Sequence, residues 1–207
     1  MLVCALWALV HSLVASKQAK DLTRRVAGPR YRDGLYRVTY NVQSVASLFW
    51  AAQWFSRLPD RDMYRVRSPW SWLFRAGQAA SLGVLLSGIR VVGIRDFAGI
   101  TALRKLLTGK NVSPEPEAQG PPIGSDAEVV KSGAFRFTRH PGNLGALGFF
   151  LFLPRMTANR AVLTALVGLY VILGSVHEEY RLRVAYGEAY ERYRRSVPFL
   201  IPRPPRK

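Results

Sequence analysis

Charge and apolarity are kept apart along this chain, and that separation limits its possible folds more than any other feature. Five apolar stretches, 1–15, 38–55, 70–92, 144–153 and 161–176, hold few charges. Lys and Arg, 30 against 13 Asp and Glu for a formal charge of +17, gather between and after them. A nucleic-acid binder spreads its cations over one folded face, whereas a membrane protein confines them to loops and tails. The pattern therefore points away from nucleic acid and toward the lipid bilayer as partner. Two of the stretches are long enough to span outright, since about 20 helical residues cover roughly 30 Å of hydrocarbon. The expected fold is all-α, an integral membrane protein with about five transmembrane helices. The last two form a hairpin, and an interfacial helix follows them.

Three regions are expected. Residues 1–108 hold the first three spans and a cytoplasmic helix. Residues 109–133, rich in Pro, Gly and acid, read as a flexible cytoplasmic loop, because such a composition buries too little apolar surface to fold alone. Residues 134–207 carry the hairpin and a basic amphipathic tail. Stretch 1–15 lacks the basic n-region of a secretory signal, which favours a retained helix. Of the 30 basic residues, 22 fall in 17–37, 95–139 and from Arg181 onward. The positive-inside rule then puts the N-terminus outside and the C-terminus in the cytoplasm. Cys4 is the one cysteine, so no intrachain disulfide can form, and no metal-ligand spacing is present.

The chemistry concentrates at one place. Residues 144–176, interrupted by PRMTAN, would run about 50 Å as a single helix, too long for a straightforward span, so they must fold back. The midpoint of His140 and Glu178 is Asn159, inside the interruption, so Arg139 and His140 should face Glu178 and Glu179 across the hairpin. The short first arm requires a helix starting at Pro141, a favoured first helical residue. Ionisable groups near the membrane are costly unless they satisfy one another or a polar ligand. A ligand pocket and a salt bridge that pins the hairpin are both open on spacing alone. Adjacent helical residues point about 100° apart, so Glu178 and Glu179 cannot share a partner. Glu179 is in reach of Arg183 at i, i+4, and which acid faces a ligand stays open. His177 reads as a hydrogen-bonded helix residue rather than a base. Tyr186, Tyr190 and Tyr193, at i, i+4 and i+7 among Arg192, Arg194 and Arg195, define the amphipathic helix expected at the interface. Gly187 should break the chain before it and Pro198 stop it. His11, Trp50 and Trp54 are candidates for a lipid-side substrate entrance, although an interfacial aromatic belt explains the tryptophans equally well.

RHPGNLG followed by HEEYRLRVAYGEAYERYRRSVPFLIP resembles the isoprenylcysteine carboxyl methyltransferase superfamily of membrane methyltransferases. That superfamily carries an Arg-His-Pro start, Glu-Glu-x-x-Leu, Gly-x-x-Tyr-x-x-Tyr and a Val-Pro-x-x-x-Pro ending. VHSLVAS, SLFWAAQW and RDFAG resemble the methanethiol S-methyltransferase and NnrU-type branch. The resemblance implies S-adenosylmethionine bound at the cytoplasmic end of the last two helices of a bacterial inner-membrane enzyme. Arg139, His140, Pro141, Asn143, Gly145, Glu178, Glu179 and Tyr190 would contact it. Arg139, Glu178 and Glu179 are the implied catalytic set, acting on a small or lipophilic thiol or related nucleophile that enters from the bilayer. Asn143 stands where these methyltransferases commonly carry Tyr. Two alternatives follow: an NnrU-type protein without catalysis, linked to nitrogen-oxide metabolism, and an NADPH-dependent double-bond reductase with a related C-terminal region.

Overall fold

A computed structural model of the chain describes residues 2–114 and 119–203, with backbone alone for 2–4. Positions 115–118 of the acidic loop, and the Cys4 side chain, lie outside the described residues. The fold is helical, with one small two-stranded ladder. The chain divides into two compact units, Met1–Leu58 with Gly93–Glu117, and Pro59–Val92 with Ala118–Lys207.

The first unit contains α1 (Leu2–Ala15), α2 (Lys17–Ala27), α3 (Pro29–Phe55), α5 (Ile94–Phe97) and α6 (Ile100–Leu107). Segment 17–37, expected as a loop, is almost wholly helical. Ser16 caps α2 by accepting the Ala19 N–H at 3.2 Å, and Pro29 opens α3 directly after Gly28. At Gly28 the positive φ of 86° lets the chain turn sharply between the two helices. Polar side chains lock α1 to α3: Trp7 Nε1 donates to Ser47 Oγ at 3.0 Å, and His11 lies 3.0 Å from Ser44 Oγ and 2.7 Å from Tyr40 Oη.

The second unit carries β1 (Asp62–Arg65), α4 (Trp70–Val92), α7 (Pro141–Leu151), β2 (Arg155–Thr157), α8 (Ala158–Tyr186) and α9 (Glu188–Ser196). A 3₁₀ turn, Gly133–Arg136, precedes α7. The hairpin forms as expected: α7 starts at Pro141, PRMTAN carries the turn, and Thr157 caps α8 by accepting the Arg160 N–H. Within the interruption, residues 155–157 pair antiparallel with β1, a ladder that an all-α reading did not include. Arg155 Nε reaches Asp62 at 2.7 Å, and Asp60 accepts the Asn159 N–H at 3.0 Å.

α7 lies close against α4 in antiparallel register, with Gly88 against Pro141, Gly145 against Ser81 and Leu85, and Gly77 against the Phe152 ring. A Cβ at Gly145 would fall 2.5 Å from the Ser81 carbonyl oxygen and 2.8 Å from the Leu85 nitrogen, so backbone approaches backbone there.

Two expectations for the second unit need correction. The tyrosine face of α9 does not lie on lipid: Tyr190 and Tyr193 are fully buried in a cluster with Val129, Phe135, Leu182 and Val197. Tyr193 donates to the Phe135 carbonyl at 2.8 Å, so the amphipathic face is satisfied by protein. Nor is 119–133 free. Pro121 and Val129 are buried, Ile123 bridges Val129, and Arg192 holds Glu128 at 2.6 Å. Gly187, with φ of 55°, separates α8 from α9, and α9 ends before Pro198.

Among the described residues one helix, Ala158–Tyr186, is long and apolar enough to cross a membrane by length and composition, and Ala5–Ala15 is a shorter apolar helix.

The α4–α7 approach sets a stability test. Gly145→Ala should lower the melting temperature in detergent by the equivalent of about 1–3 kcal/mol of overpacking. Gly83→Ala, where a Cβ meets nothing within 4 Å, should leave it unchanged or raise it. Equal effects of the two would count against close packing at Gly145.

Candidate functional site

The site forms where α7 begins and α8 approaches its end. Residues 137–140 are pinned to the C-terminal tail: the Arg139 N–H donates to the Pro198 carbonyl at 3.0 Å, and Thr138 Oγ1 donates to the Phe199 carbonyl at 3.4 Å. Thr138 Oγ1 also accepts the His140 N–H at 3.3 Å. His140 is thereby held as the residue before Pro141, and its carbonyl takes the Leu144 N–H of the first α7 turn.

The four residues expected to meet do meet. Arg139 Nε donates to Glu179 Oε1 at 2.5 Å, and its Nη1 donates to the carbonyls of Arg194 and Val197 at 3.0 and 2.7 Å. Its guanidinium lies 5.6 Å from the Phe199 ring centre. His140, 3% exposed, stands between the acids, with Nδ1 3.2 Å from Glu178 Oε2 and Nε2 3.4 Å from Glu179 Oε1, so the two acids do share a partner, contrary to the expectation from helix geometry, because the ring offers each a different edge. A carboxylate can only accept, so both contacts are hydrogen bonds when the ring is protonated on both nitrogens, as an imidazolium. Burial, the strongest single influence, works against that charge; hydrogen bonds and charge from Glu178 and Glu179 outweigh it and raise the histidine pKa above 6.5.

The adjacent acids have different surroundings. Glu179, 8% exposed, also accepts from Tyr190 Oη at 3.5 Å and faces Arg194 Nε at 3.3 Å. The Arg194 contact is an ion pair by distance but lacks hydrogen-bond alignment. Glu178 keeps 28% of its side chain exposed, and among the described residues His140 is its hydrogen-bonding partner. The expected Glu179–Arg183 pair does not form: Glu179 turns inward, and Arg183 holds Glu191 at 2.5 Å instead.

The remaining expected residues divide. Asn143 donates to the buried Ser175 hydroxyl at 2.8 Å, tying α7 to α8 beside the acids. Pro141 and Gly145 face α4, so both serve packing. Tyr190 reaches Glu179 from a buried position. Burial, followed by the Glu179 charge, raises its pKa and keeps the hydroxyl protonated, and burial raises that of Tyr193. His11, Trp50 and Trp54 belong to the first unit. His11 is bonded there to Ser44 and Tyr40, while both tryptophans stand exposed on α3. His177 is exposed. Sequence reasoning missed Arg194 and the carbonyls of Arg194 and Val197. Their signal was the last turn and C-cap of α9, where helix-terminal carbonyls need donors.

No family model matches this chain, and no solved structure does. It is similar to curated methanethiol S-methyltransferases along nearly its whole length. It is 27% identical over 210 residues to that of Mycobacterium tuberculosis, covering all of this chain and 78% of the relative. It is 26% identical over 207 residues to that of Crocosphaera subtropica, covering 95% and 71%. It is 25% identical over 203 residues to methanethiol S-methyltransferase 1 of Bradyrhizobium diazoefficiens, covering 98% of this chain and 65% of the relative.

A pH test follows from His140. The folded ring binds its proton more tightly than the unfolded chain does, so its stabilisation is complete below pH 6.5 and is lost as pH rises through the raised value. The melting temperature of the ligand-free protein should fall as the buffer moves up from pH 6.5, and Glu178→Gln should flatten that fall. A profile the substitution leaves unaltered would remove the imidazolium from the account.

Proposed function

We propose that this chain is an integral membrane methyltransferase that uses S-adenosylmethionine to methylate a small or lipophilic thiol, in the manner of the isoprenylcysteine carboxyl methyltransferase superfamily. The observation that carries the reading is Glu178: a carboxylate oriented by a buried imidazolium, partly open, beside the start of α7.

The residues present fit the cofactor. Glu178 has acceptor capacity left for an ammonium group. The first turn of α7 offers N–H groups that the helix itself leaves without acceptors. A Cβ at Gly142, in that turn, would meet nothing within 4 Å, so there is room beside it. When bound, S-adenosylmethionine supplies a methyl group already activated by the positive charge on sulfur. The work left to the chain is to hold, orient and dry the reactants. His140 fixes the Glu178 carboxylate, Arg139 and Glu179 fix His140, and the Asn143–Ser175 bond fixes α7 against α8.

Membrane placement has its own support. Only 11% of the apolar window of α8 is buried, and Leu169, Ile172, Leu173 and Val176 stand exposed along it. An 18-residue window of mean hydropathy 1.7 left so open is suited to lipid rather than water. The distribution of Lys and Arg then supports a cytoplasmic C-terminus, in a bacterial inner membrane. The alternative of a scaffold without catalysis has the mutually saturated Arg139–Glu179 pair in its favour, but it gives Glu178 no task.

Membranes containing the protein should transfer label from S-adenosylmethionine to at least one member of a panel of small and lipophilic thiols. Glu178→Gln should reduce S-adenosylhomocysteine binding by calorimetry about tenfold or more while the protein still melts cooperatively. Glu179→Gln should instead cost about 3–5 kcal/mol of stability by stranding buried cations. Absence of binding and of transfer in the wild-type protein would overturn the reading.

A further inference from the structure

Arg181 has no role in anything described so far. It lies three residues beyond Glu178 on α8, and residues so spaced share one face of a helix. Its Nε is buried and, among the described residues, has no hydrogen-bond acceptor. A guanidinium nitrogen withdrawn from water without an acceptor is costly, and native structures rarely keep one without a use. An acid and a base at i, i+3 ordinarily pair with each other. Here they do not, because Glu178 turns to His140. One turn before Glu178 a Cβ at Gly174 would meet nothing within 4 Å, so the helix surface on that side of Glu178 is open. α8 thus presents an acceptor with spare capacity and a donor without a partner, side by side on one face.

That arrangement complements a zwitterion. A lone cation would leave the Arg181 donor unused, and a lone anion would meet Glu178. A group carrying an ammonium and a carboxylate on one carbon uses both, and charge-assisted bonds to each end are the strong kind. The arginine fork suits the planar carboxylate in particular. We propose that Arg181 binds the α-carboxylate of an amino-acid moiety whose α-ammonium lies on Glu178, forming a two-point clamp. The inference rests on the proposed function, in which the ligand is S-adenosylmethionine, and it adds a specificity: the site selects donors that keep the amino-acid end. Arg181 is then a binding residue, and Arg139, whose Nε and Nη1 are committed to Glu179 and to two backbone carbonyls, is not the one that takes the carboxylate.

The test uses the full chain in detergent and two probes, S-adenosylhomocysteine and S-adenosyl-3-thiopropylamine, which keeps the ammonium but lacks the carboxylate. Arg181→Gln should weaken S-adenosylhomocysteine about tenfold or more by calorimetry and alter the carboxylate-free probe by less than about twofold. Arg181→Lys, which keeps a cation without the fork, should fall between the two. Binding of the carboxylate-free probe also reports that each variant is folded. Equal losses on both probes, or no loss on either, would overturn the clamp while leaving the proposed function in place. Failure of the wild-type protein to bind either probe would overturn both.

Discussion

The second unit depends on one buried carboxylate. Glu179 receives Arg139 from the segment before α7, His140 from the same segment, and Tyr190 and Arg194 from α9. A carboxylate so nearly withdrawn from water is tolerable only when its lone pairs are filled, and here each filling group comes from outside its own helix. The ion cluster therefore sets where α9 docks and where α7 begins. It does not by itself make the unit stable, since buried ion pairs often contribute little net free energy. Its contribution is specificity: few other arrangements of these elements satisfy the charges.

Helix geometry then gives the neighbouring acid a different task. A rotation of about 100° separates Glu178 from Glu179, so the two meet the cluster from different directions and only Glu179 points into its centre. Glu178 is left at the margin, in contact with the cluster only through His140, partly exposed and short of hydrogen bonds. Two identical side chains in sequence thus become a structural acid and an available one. The imidazolium between them links the tasks, because its two N–H groups bind one acid each and a change in its charge reaches both.

Much of this was legible in the sequence because it follows from lengths and from the few residues with restricted backbones. An apolar run too long for one span had to fold back, Pro141 had to begin a helix, and Gly187 and Pro198 had to delimit α9. What stayed hidden shares a cause. Periodicity reveals that a face is apolar, not what covers it, so Tyr190 and Tyr193 read as lipid-facing although Leu182, Phe135 and Val129 cover them. Composition marks 119–133 as unable to fold alone, yet Pro121 and Val129 are enough to dock it on a surface built elsewhere. The strands at 62–65 and 155–157 are too short to carry any alternation. The choice between Glu178 and Glu179 needed the partners in place, since nothing local distinguishes them.

The precision of the site follows from how α7 is held. Its 11 residues, about 16 Å of helix, are too few to cross a bilayer, so length does not anchor it. Close approach to α4 replaces length: Gly145 admits the Ser81 carbonyl and Leu85, and Gly88 admits Pro141. Small residues at a helix contact let the backbones themselves meet, and backbone has no rotamers to relax. The last of these contacts lies at Pro141, directly after His140. The imidazolium is therefore placed by a helix–helix contact on one side and by the tail carbonyls around Arg139 on the other. A side chain mounted this way is positioned by backbone contacts on both sides rather than by its own rotamer alone.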